Sequence, residues 1–85
     1  MTLHVFIVRS GDGREFPLGT VESLEQAENL IADLEAAFTA WEDAGFPELE
    51  EEDDPVGAFE GCDAWTRSSA GELLMMIDEG HWERL

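Results

Sequence analysis

Apolar residues dominate the run Leu3-His4-Val5-Phe6-Ile7-Val8-Arg9. β-Branched and aromatic side chains at this density predict a strand, and apolar groups on both faces suit a central position in a sheet. Ser10-Gly11-Asp12-Gly13 follows, with the glycines and the Asp-Gly pair that a tight hairpin uses. Arg14 to Leu18 is the expected return strand. Pro17 lacks an N–H for the ladder, so that strand belongs at an edge or is short.

The pattern then changes period. Leu24, Ala27, Leu30, Ile31, Leu34, Phe38 and Trp41 recur at spacings of three and four, which is the apolar stripe of a helix. Ser23 with Gln26 has the form of a capping box. Gly45 and Pro47 supply the stop, so the helix is expected over about 24–43. From Phe46 to Pro55 the chain carries Glu48, Glu50, Glu51, Glu52, Asp53 and Asp54, a block of like charge that reads as a solvated loop. Val56 to Phe59 reads as a short helical or extended turn that sends Val56 and Phe59 into the core. Ala64 to Arg67 and Glu72 to Asp78 form a second hairpin, turning at Ser68-Ser69-Ala70-Gly71. The tail, His81 to Leu85, extends the last strand or crosses the sheet.

These elements predict one α+β domain over 1–85: an antiparallel four-stranded sheet with one long helix on a single face, in the order ββαββ. One helix covers one face. The second face needs the 47–61 segment, the tail or another copy of the chain, and an uncovered apolar face is a partner site. A homodimer through that face is compatible with every functional reading below.

Composition is ordinary for a folded chain, with 44% hydrophobic residues including five Phe and three Trp. No apolar run approaches the ~20 residues of a membrane span. The N-terminal residues have no basic region of a signal peptide, and the lone Cys62 forms no internal disulfide. Both point to the cytoplasm. Charge changes the picture. There are 21 acids against four Arg, with no Lys, for a net charge of −17. Between Arg14 and Arg67 no basic side chain occurs, while 16 acids do. Such a chain repels itself, and it repels nucleic acid and anionic lipid directly.

Catalytic chemistry has few carriers. His4, His81 and Cys62 sit in no recognisable nucleophile, zinc or phosphate-loop motif, so the chain reads as a non-enzyme without metal or cofactor. The 50–54 acids are contiguous and end in Pro55, unlike an EF-hand loop with its alternating ligands and central glycine. What remains is the acids. Glu25, Glu28, Asp33, Glu35, Glu42 and Asp43 lie off the apolar stripe of the helix, and no base accompanies them to form i,i+4 pairs. Glu42 and Asp43 oppose the helix dipole at its C-terminal end. A long acidic helix leading into an acidic loop can imitate a row of phosphates and attract a groove built for DNA.

In size, charge and expected architecture the chain resembles the small acidic DNA mimics of phages and mobile elements, the anti-CRISPR and anti-restriction proteins. The resemblance implies a bacterial-cell inhibitor that covers the nucleic-acid-binding surface of a CRISPR-Cas or restriction protein. Its interface would be Glu25, Glu28, Glu35, Glu42, Asp43, Glu50, Glu51, Glu52, Asp53 and Asp54. Two rival readings use the same features. An immunity protein or antitoxin against a nuclease would add an aromatic anchor, for which Trp41, Phe46, Trp65 or Trp82 could serve. A protein of a high-salt cell would carry this charge as adaptation to solvent, with a structural or unrelated role.

Overall fold

A computed structural model describes residues 2–49, 54–78 and 80–84. The elements are β1 (Leu3–Arg9), β2 (Glu15–Val21), α1 (Leu24–Asp43), α2 (Pro55–Ala58), β3 (Cys62–Ser68), β4 (Leu73–Asp78) and β5 (His81–Arg84). The α+β class and the single long helix match the sequence pattern. The strand count does not. The sheet has five antiparallel strands in the order β2-β1-β3-β4-β5. The fifth is the tail, which turns back at Gly80 (φ 78°) and pairs Trp82 with Met76 and Glu83 with Met75. A positive φ at glycine opens this tight reversal, and the ladder shifts between Met76 and Asp78 to accommodate it.

The first hairpin forms on local chemistry. Gly13 takes φ 73°, and the Asp12 carboxylate accepts from Arg14 N (3.1 Å) and Arg9 Nε (3.0 Å). The Arg9 guanidinium hydrogen bond holds the Asp12 carboxyl well below the usual carboxylate range. Pro17 stands in β2, which is an edge strand, as its missing donor requires.

Helix α1 spans the expected residues. Ser23 Oγ accepts from Gln26 N at 3.2 Å. The return half of the box reaches one residue further back, with Glu22 N donating to Gln26 Oε1 at 2.7 Å. Gly45 (φ 84°) follows the last turn, and Trp41 Nε1 donates to the Pro47 carbonyl at 2.7 Å, folding the exit back on the helix.

Ala27, Ile31 and Leu34 of α1 bury themselves against Val5 and Ile7 of β1, Phe16 of β2 and Ala64 of β3. Val5 and Ile7 are each 1% exposed. Residues 47–49 and 54–61 close this same layer: the Phe59 ring lies tilted against Phe38 (5.4 Å), Val56 and Ala58 pack on the core, and Leu49 lies against Gly57. Among the described residues, neither that segment nor the tail covers the second sheet face. The segment is held beside α1, and the tail is in the sheet itself. Among the described residues no helix is long and apolar enough to cross a membrane.

Candidate functional site

The acids of α1 stand on the layer opposite the open sheet face. Glu25, Glu35, Glu42 and Asp43 are exposed, and Glu28 is half-buried. The helix has no basic residue in its last turn. Glu28, Glu35 and Glu42 recur every seven residues and so share one line along the helix, about 10.5 Å apart at ~1.5 Å per residue. That line flanks the buried stripe on the β4–β5 side. Trp82 Nε1 donates to Glu28 Oε1 at 3.0 Å, fixing the carboxylate from the sheet. A groove of about 360 Å³ runs between the helix and β4. Glu28, Glu35 and Asp78 line it together with Ile31, Ala32, Met76 and Ile77. Asp78 was not legible as part of this site, because only the β4–α1 packing brings it to the helix acids.

Asp54 has a local task. It is the N-cap of α2, and its Oδ1 accepts from Val56 N at 2.9 Å. Glu50, Glu51, Glu52 and Asp53 lie outside the described residues. Three of the four arginines have partners away from α1: Arg9 with Asp12, Arg67 with Glu15 at 3.5 Å, and Arg84 with Glu72 at 2.8 Å.

The aromatic candidates divide. Trp41 and Trp82 are half-buried and spend their N–H groups on Pro47 and Glu28. Trp65 lies half-buried on the open sheet face, paired across strands with Phe6 and Met75. Phe46 is 52% exposed, stands edge-on to Trp41 at 4.9 Å, and adopts φ 56°, a conformation uncommon outside glycine. It follows Glu42 and Asp43 in sequence, and its N–H donates to the Trp41 carbonyl at 3.0 Å.

Among the described residues, His4 and Cys62 lie far apart. The β1–β3 register sets His4 against Arg67, five positions along β3 from Cys62. That is roughly 16 Å by strand rise, and on the opposite face. Burial pushes the Cys62 thiol up, and Sγ donates to the Ala58 carbonyl. This is the reverse of an activated thiolate. A cleft of about 430 Å³ lies between the start of α1 and the β3–β4 turn. Leu3, Leu24 and Leu74 line it with Ser68, Ser69, Glu22 and Glu72. Among the described residues no group of three or more His, Cys, Asp or Glu is arranged to hold a metal ion. Comparison with protein-family models, curated proteins and solved structures finds no match to this chain.

Proposed function

We propose that this chain is an acidic inhibitor that occupies the nucleic-acid-binding surface of a DNA- or RNA-handling protein. The proteins that the resemblance implies as targets are CRISPR-Cas and restriction proteins of bacteria. The observation that carries the reading is the row Glu28, Glu35 and Glu42 on a helix without a single base. Its repeat of about 10.5 Å is close to the rise of three phosphates along one DNA strand, ~10.2 Å. Glu25 and Asp43 widen the row, and the 50–54 acids continue beyond the helix in sequence. A groove lined with Arg and Lys gains attraction, faster encounter and discrimination from such a surface. Ordinary solubility needs none of this, since mixed-sign surfaces with i,i+4 pairs dissolve equally well and stabilise the helix.

A second reading has one specific observation in its favour. The half-exposed Phe46 over Trp41 is an aromatic anchor set among acids, as a nuclease immunity protein would present.

One experiment addresses both. The chain is immobilised, exposed to bacterial lysate at low salt, and eluted with a rising salt gradient. Phosphate mimicry predicts capture of a nucleic-acid-binding protein that elutes steeply with salt. An anchored immunity complex with a nuclease predicts retention past the screening range, because a buried aromatic contact is insensitive to ionic strength. Recovery of no basic protein contradicts both.

A further inference from the structure

The open face of the sheet carries a pattern that the acidic layer does not explain. On the central strand β3 this face presents Arg67, Trp65 and Asp63 in turn: a cation, an aromatic and an anion at alternate positions. The neighbours follow suit. Beside Trp65 lie Phe6 of β1, which pairs with Pro17 of β2, and Met75 of β4. Arg67 has His4 beside it, and Asp63 is level with Val8 and then Glu15. Along β1 and β3 the face therefore runs from Arg67 and His4 through an apolar centre to Asp63 and Glu15, and Glu83 of β5 closes the central row beyond Met75 at the sheet edge. Within one chain the Arg67 guanidinium bends over the Phe6 ring (4.9 Å) towards Glu15 (3.5 Å), which leaves Phe6 only 6% exposed.

We infer that this face binds a second copy of the chain, sheet on sheet, about a two-fold axis that lies between the sheets, perpendicular to the strands, and passes at Trp65. Such an axis reverses the strand direction while keeping β3 over β3. It sets Trp65 on Trp65 of the second copy, Arg67 over Asp63 of the second copy, and the reciprocal pair on the other side. The same patch serves both subunits, as an isologous interface requires. The charge order of β3 is self-complementary under this operation. It does not suit a uniformly basic partner, which Arg67 and His4 would repel.

Size and repulsion are both compatible. Five strands at ~4.8 Å by about 20 Å of strand length give roughly 500 Å² of projected face per copy, so that two copies approach the ~1,000 Å² of a specific interface. Net charge of −17 on each subunit opposes association. The acidic helices, however, would lie on the two outer layers. With layers spaced by ~10 Å they stand about 30 Å apart, several Debye lengths at physiological salt. Raising the salt should therefore leave this apolar-centred dimer largely intact, whereas it weakens binding of a basic protein to α1.

Sedimentation equilibrium of the purified chain tests the inference without any target. A dimer is expected at micromolar concentration in ~0.15 M salt and should persist as salt rises. Trp65→Asp should leave a monomer. Arg67→Glu and Asp63→Arg should each weaken the dimer about tenfold, and the double variant R67E/D63R should recover it, because the reversed pairs meet again across the axis. Far-UV circular dichroism verifies that each variant folds, and the charge-swap pair remains decisive if Trp65→Asp does not. A chain that stays monomeric throughout overturns the inference, as does a dimer that ignores Trp65→Asp in a folded variant or a double variant that recovers nothing.

Discussion

Replacing Glu28, Glu35 and Glu42 together with lysine is expected to weaken binding to a basic, nucleic-acid-handling partner by at least about a hundredfold at low ionic strength. An exposed pair at ~4 Å in water is worth about 1 kcal/mol, and reversing a charge turns attraction into repulsion of similar size. Three reversals then amount to ~6 kcal/mol, and half of that after screening is still roughly a hundredfold. The effect should fade as salt rises. The fold should survive. Glu35 and Glu42 are exposed, and Glu28 loses only its bond from Trp82. Lysine at 42 also suits the dipole at the end of α1 better than glutamate does, and the changes relieve a chain at −17. Titration calorimetry at two salt concentrations reads the loss, and thermal melting verifies the fold. Unchanged affinity in the folded variant would remove this row from the interface.

The largest effect on stability belongs to Ile7→Ala. Ile7 is 1% exposed at the meeting of β1, Phe16, Ala64 and the helix. Truncating such a residue costs about 2–5 kcal/mol through lost burial and the cavity left behind. At ~0.05–0.15 kcal/mol per residue, a chain of 85 residues has roughly 4–13 kcal/mol to lose. Its Tm should fall by on the order of 10–30 °C, or the chain should fail to fold. Ile77→Ala is the contrast. Ile77 is also a strand isoleucine, but it is 44% exposed where it lines the groove, and its truncation should cost about 0.5 kcal/mol or less. Equal losses at the two positions, measured by chemical denaturation, would contradict the packing of α1 on β1.

Where the chain advertises its elements locally, the sequence is readable. Helix α1 could be bounded from its stripe, Ser23 and Gly45, and both hairpin turns from their glycines. The fifth strand was not legible, because His81-Trp82-Glu83-Arg84 has no apolar alternation of its own. It becomes a strand by pairing with β4, a tertiary effect. The pairing of β1 with β3, separated by more than fifty residues, is likewise a matter of register that no local pattern announces. The same holds for the site. The acids of α1 could be placed off the apolar stripe from spacing alone. Asp78 joins them, and Asp54 turns to capping α2, only once the chain has folded. The self-complementary order of Arg67, Trp65 and Asp63 was present in the sequence as alternation, yet it gains meaning only when β3 is the middle strand and its outer face is bare.

The central claim is that the α1 acids stand in for phosphates, and competition tests it most directly. The nucleic-acid-binding protein captured on the immobilised chain is challenged with duplex DNA, or with RNA if that is its ligand, at constant ionic strength. The account predicts release that saturates with added nucleic acid, and no ternary complex, because one surface cannot hold both. Retention of the partner while it also binds nucleic acid would contradict it and place the contact elsewhere on the chain.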